Sequence, residues 1–474
     1  MKNFIAGRSI PSTATASVAI RNPATTDVLA RSPLSTAEDV DLAVRAARSA
    51  FRRWSRTTPA ERSSALLSIA DAVERDAEAL SRDECAETGK PTSSFREDEL
   101  PAIVDALRFF AGAARSLSGL PAGEYTAGLT SILRREPIGV VGHITPWNYP
   151  LMAAVWKLGA TVAAGNTAVI KPAQATPTTT LRLAELAHDH LPTGVINVVC
   201  GGPATGEVIA SHADVDMVAV TGSIRAGKSV ASAAAGNVTR VHLELGGNAP
   251  VLILEDADLV ASLPKVVAGA YYNAGQDCIA ATRVIASRSV YDDVVIGLVE
   301  AASALRVGDP LDSSTQIGPM ISAEQRDRVL GMLERRPGSS RLVAGGTSIP
   351  GPGYFMQPTV VTDLPQDCEL VQDEIFGPVL TVQCCPDETE AVSWANGTAC
   401  GLGASIWTRD TARALAIARE LEAGVVWINE HAPIVSEMPH GGVKRSGYGN
   451  DLSVLAVEEY TTVKHVMVAT YGGR

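Results

Sequence analysis

The sequence predicts an α/β protein built from parallel sheets with helices on both faces, and three observations carry the prediction. Short apolar runs recur between helix-length segments: IGVVGHI at 138–144, Thr167–Ile170, Val195–Val199, Met217–Val220 and Val241–Leu245. Strands covered on both faces read as such unbroken runs. A second alternation occupies about 250–445, with strands expected at Val251–Leu254, Gly377–Thr381, Ala404–Trp407 and Val425–Asn429 and a helix at Thr411–Leu421. Finally, 474 residues with 46% hydrophobic and 19% charged composition exceed what one core usually holds and imply two or three domains.

The elements follow in order. Residues 1–32 read as short strands and turns, with Asn22–Thr25 (NPAT) marking a turn. From Ser35 to Trp54, Val40, Ala43, Val44, Ala47 and Phe51 share a helical face, with Ser35 as the expected cap and Glu38 three residues on. A second helix follows Pro59 and carries Leu66, Ile69, Val73 and Leu80; a third spans Asp98–Leu117. Past Gly119 the run TSILRRE alternates like a strand. Helices are expected at Ala153–Ala164 and Thr178–His188, and a glycine-containing one after Thr221–Ser223. The tail Glu459–Val468 reads as a strand that pairs either within the chain or with another subunit. No internal repeat is present.

Composition narrows the function. The balance of 40 basic against 52 acidic residues, net −12, disfavours a nucleic-acid surface. MKNFIAGRSI lacks the apolar core of a secretion signal, and no run of 18 apolar residues suggests a membrane span. The seven cysteines, at 85, 200, 278, 368, 384, 385 and 400, form no CxxC pair and are odd in number, so a reduced, cytoplasmic protein is expected. No HExxH or zinc spacing occurs, and no metal is expected. Gly227-Lys228-Ser229 lacks the upstream glycine of a Walker loop, and GGT at 345–347 reads as a turn.

Several residues could carry chemistry. Cys278, in YYNAGQDC, is either a small buried hydrophobe or a nucleophile, the latter requiring approach and charge stabilisation. Glu244, in HLELGGNAP, stands at a strand end as a solvated carboxylate or a shielded general base. Asn148, in ITPWNYP, offers a turn amide or an oxyanion donor. Lys171 ends a strand, where doubly wound sheets bind ligands, and Glu374 could order a ribose or cap a turn. Gly202 and Gly206, in VVCGGPATG, do not complete GxGxxG.

Taken together, PWNYP at 146–150, KP at 171–172, TGS at 221–223, ELGG at 244–247, GQDC at 275–278 and EIFGP at 374–378 resemble, in order and spacing, the aldehyde dehydrogenase superfamily. The resemblance covers nearly the whole chain. It implies a Rossmann-like dinucleotide-binding domain (1–119 and 138–246), an α/β catalytic domain (247–454) and a small β oligomerisation element (120–137 and 455–474). It implies a homodimer or homotetramer, the tetramer favoured. By the same resemblance Cys278 is the nucleophile, Glu244 the general base, and Asn148 an oxyanion donor together with the backbone N–H of Cys278. The cofactor set is Ile144, Thr145, Pro146, Trp147, Lys171, Gln174, Gly202, Gly206, Thr221, Gly222, Ser223, Leu245, Glu374 and Phe376. An aldehyde would become a thioester on Cys278 with hydride passing to NAD(P)+, and water would release the carboxylate.

Substrate and cofactor choice rest on finer features. PAIVDALRFFAGAAR at 101–115, YYNAGQDC at 271–278 and VSEMPHGG at 435–442 resemble the γ-aminobutyraldehyde dehydrogenase branch, implying oxidation of 4-aminobutanal or a neighbouring ω-aminoaldehyde in polyamine (putrescine) degradation. Glu99, Asp105, Asp277, Glu430 and Glu437 are the acids expected to meet an ammonium; Tyr149, Trp156 and His440 are expected pocket walls. Betaine aldehyde is the nearest alternative. Succinate semialdehyde, which wants Arg or Lys, ranks lower. Gln174 stands where NAD-using members commonly carry glutamate, so NAD is expected first and NADP second. A CoA-acylating enzyme and a noncatalytic protein on the same fold are the competing readings.

Overall fold

The computed structural model describes residues 1–117, 119 and 121–469; residue 120 and residues 470–474, included above in the expected β element, lie outside them. The first sheet has eight strands, in the order Gly447–Tyr448, Arg240–Leu245, Met217–Gly222, Val140–Ile144, Thr167–Lys171, Ile196–Val198, Asn3–Ile5 and Arg8–Ile10. The middle strands are parallel and the additions at each edge antiparallel. The parallel part starts at Val140–Ile144, runs outward through two strands, and returns to Met217–Gly222 on the other side. That reversal opens a crevice at the carboxyl ends of these strands, where such sheets bind ligands. Apolar clusters that include Val141, Leu158 and Ile170 on one side and Val140, Val169 and Val218 on the other cover both faces.

The second sheet runs Arg341–Ala344, Thr359–Thr362, Val379–Cys385, Arg283–Ser287, Pro250–Ile253, Gly403–Trp407, Val425–Ile428. All pairings are parallel except the first. The sequence did not announce Arg283–Ser287, although it lies in the middle of this sheet. Its leading arginine breaks the apolar run, yet it is fully buried because its guanidinium donates to the carbonyls of Asn248, Trp394 and Ala395. The strands Arg341–Ala344 and Thr359–Thr362 were also unanticipated.

Local differences have local causes. The first helix is Ala37–Trp54, capped by Thr36 with Asp39 closing a capping box; Ser35, the expected cap, instead exchanges hydrogen bonds with the Asn3 side chain at 2.9 and 3.1 Å. The second helix stops at Arg75, and Leu80 belongs to a separate helix, Ala77–Thr88. A π-turn at Phe95–Glu99 precedes the helix Leu100–Ala113. The tail strand Thr461–Ala469 pairs antiparallel with Leu129–Pro137 of its own chain, and Gly123–Thr126 completes a three-stranded sheet. Among the described residues no helix is long and apolar enough to cross a membrane.

Candidate active site

The helix Leu259–Tyr271 ends in a turn in which Asn273, Ala274 and Gly275 all take positive φ (49°, 57° and 68°). Left-handed backbone at non-glycine residues is costly and concentrates where a side chain must be aimed. Three residues later the turn delivers Cys278 to the wall of a cavity of about 690 Å³. A Cβ on Gly275 would lie 2.2 Å from the Gly377 carbonyl, and one on Gly247 would lie 2.1 Å from the Cys278 carbonyl. The glycines of GQDC and ELGG therefore let three motifs meet backbone to backbone.

Glu244 ends the strand Arg240–Leu245 beside this turn and is buried. Its Oε1 has no hydrogen-bond partner and lies 3.6 Å from His440 Nε2. One ligand atom from each of Glu244, Cys278 and His440 falls within 4.8 Å of the others. Burial, then the charges of Glu244, Asp277 and Glu374, push the Cys278 thiol well above its ordinary value. A thiol so placed needs a nearby proton acceptor, and the free carboxylate oxygen of Glu244 is one. Asn148, also buried, donates from Nδ2 to the Gln276 carbonyl at 3.1 Å, and its backbone carbonyl accepts from Asn273 Nδ2 at 3.1 Å. The first bond holds the side-chain amide and the second its backbone at the cavity wall, and an amide nitrogen has a second N–H of the kind that can stabilise an oxyanion.

The crevice of the first sheet holds the expected cofactor set. Ile144 ends its strand, and the Thr145 N–H donates to the Lys171 carbonyl at 3.2 Å. Pro146 and Trp147 follow, the Trp147 ring meeting Phe376 edge-on at 5.2 Å. Lys171 is buried, its Nζ donating to the Pro172 carbonyl, and burial lowers it to about 8. Gln174 Oε1 lies 2.9 Å from where a Cβ on Gly202 would stand, and Gly206 is similarly close to Ile144 and Lys171. Gly222 faces open space, and Ser223 caps the helix Ile224–Ala235. Leu245 packs against Gly227. Glu374 accepts from the Gly247 N–H at 3.1 Å, and burial lifts its carboxyl to about 8. The buried hydroxyls of Thr145 and Thr221 have no partner. Orphaned hydroxyls, a carboxyl for a ribose and a capped helix start for phosphate make a donor set that fits a dinucleotide.

The expected substrate residues divide. Glu99, Asp105, Tyr149, Trp156, Asp277, Glu437 and His440 line the cavity; Glu430 does not, because its carboxylate takes Lys265 Nζ at 2.5 Å outside it. Of the acids, Glu99 is already held by Lys90 at 2.6 Å and Asp277 by the Tyr149 hydroxyl at 2.6 Å, while Asp105 accepts from Ser436. Lys90 also sits 4.4 Å over the Tyr149 ring. Asp98, Tyr272 and His431 belong to the wall as well. Sequence reasoning missed them, since nothing local in 95–99 or 431 distinguishes a lining residue from a surface one. Lys90, ahead of the π-turn, gave no signal of its pairing either.

A sequence model of the aldehyde dehydrogenase family matches residues 10–466. An aldehyde dehydrogenase from Emericella nidulans is 40% identical over 94% of this chain and 90% of that protein. A betaine aldehyde dehydrogenase from Bacillus subtilis is 37% identical over 94% of this chain and 93% of that protein. Among solved structures, the NAD+ complex of an aldehyde dehydrogenase from Bacillus cereus superposes with a TM-score of 0.96 at 39% identity, covering 99% of this chain and 96% of that one.

Proposed function

Because the chain belongs to the aldehyde dehydrogenase family, and is accordingly an NAD(P)-dependent enzyme of aldehydes, we propose that its substrate is 4-aminobutanal, oxidised to 4-aminobutanoate. The carrying observation is the sign of the cavity. Its wall bears Asp98, Glu99, Asp105, Asp277 and Glu437, and no lysine or arginine among the described lining residues. An ω-ammonium gains from such a wall, and a distal carboxylate such as that of succinate semialdehyde is repelled. Betaine aldehyde is the second reading, favoured by the similar betaine enzyme and by Trp156 and Tyr272 in the wall. Its methylated ammonium has no N–H and depends on aromatic faces; one such face, that of Tyr149, is already taken by Lys90.

In this reading Cys278 Sγ attacks the carbonyl carbon and Glu244 takes the thiol proton. Asn148 and the Cys278 N–H stabilise the oxyanion. Lys171, Gln174, Thr221–Ser223 and Glu374 would hold NAD(P)+, which when bound would supply the hydride acceptor; NAD is the first choice. Once Glu244 has lost that first proton to solvent, it takes a proton from the water that cleaves the Cys278 thioester, releasing carboxylate and restoring the thiol. A buried, unpartnered carboxylate beside the thiol supports hydrolysis over transfer to CoA. The proposal includes the three-part domain division, a cytoplasmic location and a homotetramer. Exposed Tyr125, Val463, Met467 and Val468 on the three-stranded sheet support its part in assembly. The test is a panel of 4-aminobutanal, 3-aminopropanal, betaine aldehyde, succinate semialdehyde and propanal, each with NAD and with NADP. The highest kcat/KM is expected for 4-aminobutanal; preference for any other member rejects the substrate assignment.

A further inference from the structure

Glu244 is an isolated buried carboxylate in the mechanism above, yet its free oxygen faces an imidazole. His440 is 2% exposed, its ring rests against Trp156 at 5.5 Å, and its Nε2 lies 3.6 Å from Glu244 Oε1. Its Nδ1 has no hydrogen-bond partner. An imidazole carrying its proton on Nδ1 presents the Nε2 lone pair to Glu244. The separation exceeds a direct hydrogen bond by a few tenths of an ångström, a gap that a small side-chain rotation closes.

The backbone at His440 is fixed. Its N–H and carbonyl both pair with Asp451, at 2.7 Å each. Asp451 is in turn held by Lys157 Nζ at 3.0 Å and faced by His242 Nε2 at 3.3 Å. His242 and Glu244 are two residues apart on one strand and so share a face. The strand that carries the base thus also anchors the segment that carries the imidazole.

We propose that His440 is the proton-accepting partner of Glu244, positioning its carboxylate and relieving it of the proton gained at each turnover. The proposal rests on the aldehyde dehydrogenase reading and not on the choice of aldehyde. One proton of the attacking water goes to Glu244, passes to His440 Nε2 and returns to solvent through the cavity, while the thioester C–S bond breaks to carboxylate and the water's second proton ends on the Cys278 sulfur as the thiol. The charged groups facing His440 are Glu244 on its strand, Asp277 on the cysteine turn and Asp451 on the following segment. Burial pulls the imidazole down, but Glu244 leads these carboxylates in holding it above its ordinary value.

The test compares wild type, H440Q and H440F with whichever aldehyde of the panel the wild type oxidises best. Pre-steady-state NAD(P)H formation and the pH profile of kcat are recorded for each. The expected result is a burst of near wild-type amplitude, kcat lower by about tenfold or more, and a limb of the pH profile displaced by about one unit. Loss confined to KM, or kcat within about twofold with an unchanged profile, overturns the proposal and leaves His440 a packing residue. Histidine NMR of the resting enzyme supplies a readout independent of turnover. E244Q is expected to lower the His440 titration midpoint. The same midpoint in both proteins overturns the coupling even if the enzyme acts on an unforeseen substrate.

Discussion

The proposed nucleotide crevice and the proposed aldehyde cavity meet at Pro146 and Thr221, which belong to both, but they are made differently. The crevice is built from the carboxyl ends of adjacent parallel strands, so its residues arrive in short contiguous motifs: Ile144–Trp147, Lys171–Gln174, Thr221–Ser223. The cavity is assembled from helix faces and loops far apart in sequence, around 98–105, 148–156, 272–279 and 431–440. Most of its acids are already engaged by Lys90, Tyr149 or Ser436. The crevice residues are placed by the backbone of one sheet, and the cavity residues by side-chain partners from separate elements.

The two regions should separate under mutation. Cys278→Ala is expected to abolish turnover while leaving NAD affinity, measured by calorimetry, within about threefold; a comparable loss of binding would show that the two regions are not separable. Asn148→Ala should lower kcat by about 10²–10³-fold, the worth of one oxyanion donor in a shielded site, with KM little changed. A loss seen only in KM would place Asn148 in binding instead.

The crevice also has a pH signature. Burial lifts Glu374 to about 8, so between its unfolded value and that point the folded chain binds the extra proton. Its protonated form is favoured by folding, and stability falls as pH rises through this window, at most about 1.4 kcal/mol per unit from this group. Urea unfolding without cofactor at pH 5, 6 and 7 should show a flatter profile for Glu374→Gln; parallel profiles would remove Glu374 as the cause. The smallest expected effect is at Gln174. Substituting Glu adds a charge that repels a 2′-phosphate, and the NADP/NAD ratio of kcat/KM should drop several-fold. An unchanged ratio would show that Gln174 does not read the ribose.

The same contrast explains what was legible in the sequence. The five parallel strands of the first sheet were readable because both faces are buried and their runs are mostly apolar, whereas the two-residue edge strand Gly447–Tyr448 carries no such run. Arg283–Ser287 was not, because a buried arginine satisfied by three distant carbonyls looks like a surface residue in one dimension. The glycines at 247 and 275 marked the motifs, though only the fold shows that each makes room for another motif's carbonyl. Glu430 and Glu437 looked equivalent as acids. Lys265, 165 residues before Glu430, holds one away from the cavity, and no local pattern records such a partner.

One edge of the first sheet has a consequence for how the molecule is made. Gly447–Tyr448 pairs with Leu243 and Glu244 across some 200 residues of intervening chain. Contacts so distant in sequence close late, after the loop entropy has been overcome. During synthesis the strand bearing Glu244 emerges early but gains its outer neighbour, and His440 with it, only after residues 440–448 have left the ribosome. A chain arrested before about residue 440 would hold the nucleophile's turn and the cofactor crevice without the finished base.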